Sequence, residues 1–166
     1  MAYADKFTAT DALIAHLNTV MPSITDPAIK ANYAGFLSVS AVTVFELAIK
    51  EIIIDFATKK NLTFGYYIDG KYQRINGRIK LGDLRDEHIS PFGLKYLLKF
   101  KKLSEEKEKS FFKSSRVSIK SSYANLITCR HQYVHEGNPT LTFEEVSKSY
   151  QSGKLIIECL FDSLRR

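Results

Sequence analysis

The stretch from Pro27 to about Thr58 limits the fold more than any other part of the chain. It opens on Thr25-Asp26-Pro27, where Asp26 can cap a helix and Pro27 suits a first turn that has no use for its missing N–H. No breaker follows except Gly35, and between Lys30 and Lys50 the one charged residue is Glu46. Apolar side chains recur nearly all the way round the helix, so it is expected to lie central and buried. A carboxylate in such a helix needs a cation or several donors, because an unpaired buried charge is costly.

The rest of the chain supplies helices to surround it. Thr10-Asp11 opens a first short helix that ends before Pro22, with Leu13, Ile14, Leu17 and Met21 on its apolar face and His16 beside it. Ser90-Pro91 starts a helix through about Leu103, and Ser104-Glu105-Glu106 starts another. Thr142 and Glu145 form a capping box, with Leu141 and Val146 as a hydrophobic staple, and the last helix runs from Phe143 to about Leu164. Residues 61–89 differ in character. Phe64 to Ile68, Asp69-Gly70 and Lys71 to Ile75 read as a hairpin with a two-residue turn, and Asn76-Gly77 as a further turn. Tyr66, Tyr67 and Tyr72 with Lys71, Arg74, Arg78 and Lys80 could stack on bases, or could cover the core or a dimer seam. The expectation is a single all-α domain over residues 1–166. It is an antiparallel bundle of about five helices, with a small β-hairpin-like insertion between the second and third long ones.

One helix carries an anomaly. From Ile119, apolar residues recur at Tyr123, Leu126, Ile127 and Val134, and Arg130 falls in the same stripe. Its guanidinium must snorkel to water or meet a buried partner. Glu46 has the opposite need, and the simplest closure is that the two meet, directly or through water. The helix stops at Gly137, with Pro139 beyond. His131 and His135, four apart, share a face. His135 points roughly 140° away from Arg130 and about 7.5 Å further along a regular helix, so one straight helix cannot close both around one phosphate. Either the helix frays at Gly137, or Arg130 extends, or a second copy supplies the missing half.

Arg130-His131 followed by His135, an R-x4-H with a polar residue directly after the arginine near the end of a helix, resembles the HEPN superfamily. The resemblance covers the whole chain as one HEPN domain with an inserted loop, the RiboL-PSP type being the candidate. It implies a metal-independent endoribonuclease of toxin or phage-defence systems, usually dimeric, with RNA as substrate and an antitoxin or other regulatory protein as a further partner. By this resemblance His135 is the acid/base and Arg130 the phosphate clamp. His131 assists and Glu46 holds Arg130 in one rotamer. HEPN toxins paired with a minimal nucleotidyltransferase often carry a tyrosine two residues after the histidine; here that place is Gly137.

Charge agrees with a polyanionic substrate. Between Lys95 and Lys120 stand nine Lys/Arg against three acids, an excess equal to the net +6 of the chain. Lys99, Lys102, Lys113, Arg116 and Lys120 are the candidate RNA contacts. A solvated helix face is the competing reading. Cys129 and Cys159 fit no zinc spacing and read as reduced core residues of a cytoplasmic protein. His131 and His135 have helical ligand spacing but no third ligand at convincing spacing, so no metal or cofactor is expected. No uncharged run reaches the length of a membrane span. A non-catalytic HEPN-like dimerisation or RNA-binding module stays open as the alternative.

Overall fold

A computed structural model of the chain describes residues 2–73 and 77–165. Its axis is α2 (Pro27–Lys60), which runs 34 residues, about 51 Å, without interruption. The Asp26 carboxylate accepts from the Ala28 N–H at 2.8 Å, satisfying one of the donors a helix start leaves free. Helices α3 (Leu62–Tyr72), α6 (Ile119–Glu136) and α7 (Phe143–Leu164) pack on α2. α5 (Leu94–Ser115) lies chiefly on α7. α1 (Thr8–Val20) and a 3-10 turn at Ala4–Phe7 also pack on α2, Thr10 reaching Ser40 and Lys6 reaching Glu51. The Lys154 ammonium on α7 bonds the Asp11 carboxylate at 2.6 Å, tying α1 to α7.

The centre of the core is a stack of three rings. Phe45 of α2 lies between Tyr123 of α6 and Tyr150 of α7, with ring centroids 5.5 and 5.6 Å apart and planes within 17° of parallel. Both phenols are satisfied: Tyr123 donates to the Ile79 carbonyl at 2.6 Å and Tyr150 to the Phe7 carbonyl at 3.3 Å. Gly153 on α7 lets the stack form, since a Cβ there would stand 2.9 Å from the Phe45 ring. α2 is therefore central, as its composition predicts, yet one face stays uncovered. Phe36 and Leu47 are 56% and 44% exposed, and Thr43 between them is exposed too.

The architecture departs from expectation in three places. Among the described residues there is no strand; seven α segments are present rather than about five, and six of them have eleven residues or more. The expected hairpin is a helix. Asn61 caps α3 by accepting from the Phe64 N–H at 3.2 Å, and the chain doubles back on α2. The short segment reads with period two through Phe64, Tyr66 and Ile68. It also holds a helical face at Gly65, Ile68 and Tyr72, and these are the buried residues. α2 offers that face an apolar wall, whereas a lone two-stranded hairpin is marginal in water. Gly65 sits so close that a Cβ would collide with the Thr58 side chain. Tyr66 and Tyr67 stay exposed. Arg74, Ile75 and Asn76 of the expected second strand and turn lie outside the described residues, while Gly77 has φ +76°.

Beyond it, Leu81–Asp83 (α4) and a π turn at Leu84–Ile89 complete the 61–89 segment. His88 pins this segment down. Its Nε2–H donates to the Arg78 carbonyl at 2.6 Å, and its Nδ1 accepts from the Tyr72 hydroxyl at 2.9 Å.

The third departure is α5. Ser90–Phe92 makes only a 3-10 turn, ended by Gly93 at φ +117°. Leu94 to Ser115 is then one helix, not two, because nothing between them breaks it. Ser104, expected as a cap, instead turns its hydroxyl to the Lys101 carbonyl at 3.0 Å. Elsewhere the local signals hold: α6 stops at Gly137 in the left-handed conformation, and Thr142 and Glu145 form the capping box.

Candidate functional site

α6 starts where Ser118 caps it and descends through the core on Ile119, Tyr123, Leu126 and Ile127, all buried. Tyr133 is the last strong anchor: its ring occupies the space a side chain on Gly35 of α2 would need. That close crossing brings the end of α6 to the first half of α2. Val134, expected to continue the apolar stripe, is 51% exposed because no element covers the helix there.

Arg130 on α6 and Glu46 on α2 are near enough for their charges to interact. Each is half-buried. Burial raises the Glu46 pKa above the ordinary carboxylate value, and the Arg130 charge is the strongest influence pulling it back, ahead of Lys50 and the Gly77 backbone N–H. Yet among the described residues the two groups make no direct ion pair. Glu46 Oε1 and Arg130 Nε are both buried without a hydrogen-bond partner. The two side chains thus sense each other without the direct contact expected of two orphan charges. Gln132, two residues on and on another side of the helix, also has its Oε1 buried without a partner. The sequence gives no sign of this residue's role, since a glutamine between two histidines reads as an exposed polar side chain.

His131 and His135 lie on the outer side. Both are exposed, and their rings meet at 4.4 Å between centroids, tilted by 51°. The last turns of α6 therefore hold a half-buried guanidinium and two accessible imidazoles. Such a set can bind a phosphate and transfer protons. Among the described residues, no three His, Cys, Asp or Glu side chains gather as a metal site.

The basic residues divide. Lys99, Lys102 and Lys113 share one side of α5, within an arc of about 60°. Lys99 donates to the Arg165 carbonyl at 2.8 Å, and Lys102 stands 3.9 Å from Glu106. Arg116 ends α5 in the left-handed conformation, φ +59°. Lys120 is apart from these on α6, half-buried, and lines a small polar cavity with Arg85 and Lys101. Cys129 and Cys159 are free thiols in the core, and burial pushes the Cys159 thiol up to about 11. Among the described residues no helix is long and apolar enough to cross a membrane.

Comparison with curated proteins gives no match, and neither does comparison with solved structures. A family model does match, that of RiboL-PSP-HEPN, over residues 5–166. The match takes in the α2–α6 crossing, the segment between α2 and α5, and both ends of the bundle, so the chain belongs to the RiboL-PSP-HEPN family.

Proposed function

We propose that this protein is an endoribonuclease that cuts RNA without a metal, through attack of the RNA's own 2′-hydroxyl. One observation carries the reading: a half-buried guanidinium with an unpartnered Nε and two exposed imidazoles in mutual contact share the last turns of one helix. Membership of a HEPN family, whose domains are often RNases, supports it.

In this mechanism His135 accepts the 2′-hydroxyl proton as the 2′-oxygen attacks phosphorus. Arg130 binds the non-bridging oxygens, where negative charge grows in the transition state. A second imidazole gives a proton to the departing 5′-oxygen, leaving a 2′,3′-cyclic phosphate and a free 5′-hydroxyl. Glu46 positions Arg130 by charge, and His131 orients the substrate.

The working unit in this reading is a homodimer with the two α6 ends at its seam. Phe36 and Val134 flank the crossing where Tyr133 rests on Gly35, and Leu47 lies three turns along α2 from Phe36. All three are exposed apolar side chains next to the site. A twofold contact through this one patch would cover them and bring two arginines and two histidine pairs to one cleft.

Purified protein should cut total RNA in the presence of EDTA, and His135→Ala should not. Light scattering should report twice the chain mass at micromolar concentration. Mixing inactive Arg130→Ala and His135→Ala chains should restore part of the activity. A monomer with full activity, or no complementation, would sink the shared cleft. RNA left intact by the wild type would sink the ribonuclease.

A further inference from the structure

Seven of the described lysines and arginines have ion-pair partners. Lys102 stands by Glu106, Lys107 by Glu158, Arg78 by Glu87 and Lys154 by Asp11. Arg85, Lys101 and Lys120 do not: among the described residues none is in an ion pair. They come from three elements, the π turn after α4, α5 and α6, and converge on one cavity of about 310 Å³.

The floor of that cavity is Phe100, 1% exposed, and buried Ser104, whose hydroxyl is committed to the Lys101 carbonyl at 3.0 Å. Glu105 is the one acid in the lining. Glu108, close by, is turned to the Lys120 backbone N–H at 3.1 Å rather than to an ammonium. Three cations thus face one small polar space against a single lining carboxylate. Like charges repel one another, so gathering them costs free energy that an anion returns.

Position says which anion. Lys120 and His131 are eleven residues apart on α6, which places them within about 20° of the same face and about 16 Å apart along the axis. Exposed Ala124 and Thr128 stand between them, with side chains too short to block a strand lying along the helix.

We propose that Arg85, Lys101 and Lys120 form a seat for a backbone phosphate of RNA, several nucleotides away from the bond that is cut. The inference rests on the ribonuclease reading and deepens it: the substrate class is a strand long enough to lie along α6 from His131 to Lys120. A dinucleotide fills the cleavage site and cannot reach the seat.

The test compares a dinucleotide with a single-stranded oligonucleotide several times longer, on the wild type and on the triple variant Arg85→Gln, Lys101→Gln, Lys120→Gln. All three side chains are at least partly exposed, so the variant should fold, as circular dichroism would verify. The expected result is a tenfold or larger rise in KM for the oligonucleotide, little change in kcat, and an unchanged dinucleotide rate. The salt dependence of oligonucleotide binding should also flatten, by about 0.7 in the log–log slope for each phosphate no longer neutralised. Equal loss on both substrates, or on neither, overturns the seat while leaving the ribonuclease standing. Inorganic phosphate that binds the wild type and not the variant, with oligonucleotide KM unmoved, would assign the cavity to a free anion and overturn the proposal. A wild type that cuts neither substrate overturns the ribonuclease reading itself, and the seat with it.

Discussion

Phe45 and Glu46 are neighbours on α2 and meet opposite fates. Phe45 is fully buried between Tyr123 and Tyr150, and both tyrosine hydroxyls reach backbone carbonyls. Glu46 is half-buried within reach of the Arg130 charge, and each retains a buried polar atom with no partner. The same pair of helices makes both regions: Tyr123 and Arg130 lie seven residues, about two turns, apart on α6. Where the elements cover each other fully, every polar demand is met within the chain. Where the covering stops, at Val134 and Phe36, charges stand near each other without closing. Buried polar atoms left unmatched reduce stability, so a fold that keeps them marks a place that something outside the chain can complete.

The strongest way to break this contrast is Phe45→Ala. It empties the middle of the stack and should cost about 3–5 kcal/mol, read by denaturant unfolding. A destabilisation below about 1 kcal/mol would mean the stack is not what holds α2, α6 and α7 together.

His135→Ala should do the converse. The side chain is exposed, so Tm should stay within a degree or two, while RNA cleavage falls by about a hundredfold or more. An equally large drop in Tm would turn His135 into a structural residue.

Glu46→Gln sharpens the contrast at its centre, with a smaller effect. Burial raises the folded pKa of Glu46 above its ordinary 4.5. Its contribution to stability is therefore fully present below that value and lost as pH rises through the raised one. The glutamine has no proton to lose, so the variant's stability curve should be flatter across that window. Identical curves would mean the carboxylate carries no burial penalty.

The smallest effect concerns His88, which is buried like Phe45 yet titratable like Glu46. Burial lowers its pKa below 6.5. Its stabilising effect is present above 6.5 and fades as pH falls from there through the lowered value, because the unfolded chain takes up the proton first. Hydrogen exchange in residues 62–73 and 77–89 should quicken in that window before the α2–α6–α7 core does. Uniform exchange across the molecule would contradict this.

Much of the fold was legible locally. Asp26-Pro27, Thr142 with Glu145, and Gly137 each act within a single turn, and each marks a helix end where the structure has one. The 62–72 segment was not legible in the same way. Over so few residues the strand and helix periods fit equally well, and the wall of α2 chose between them. For the site, the spacing of Arg130, His131 and His135 could be read directly, along with the need of Arg130 and Glu46 for partners. Gln132, Arg85 and Lys101 could not be found that way, since a lone glutamine and two more surface cations carry no periodic signal.

The sequence alone determined that α2 is a long apolar helix with one carboxylate between Lys30 and Lys50, that α6 ends at Gly137 with Arg130, His131 and His135 in its last turns, and that the ends of α1, α2 and α7 fall close to where they do. These depend on contacts within a turn or two of the same chain. Tertiary structure alone decided that α3 is a helix, that Phe45 is enclosed while Phe36 and Leu47 are not, and that Glu46 and Arg130 approach without a direct ion pair. It also decided that Arg85 and Lys101 join Lys120. Each of these turns on which faces of distant helices meet and how closely, and a Cβ missing at Gly35, Gly65 or Gly153 sets that distance only once the facing side chain is in place.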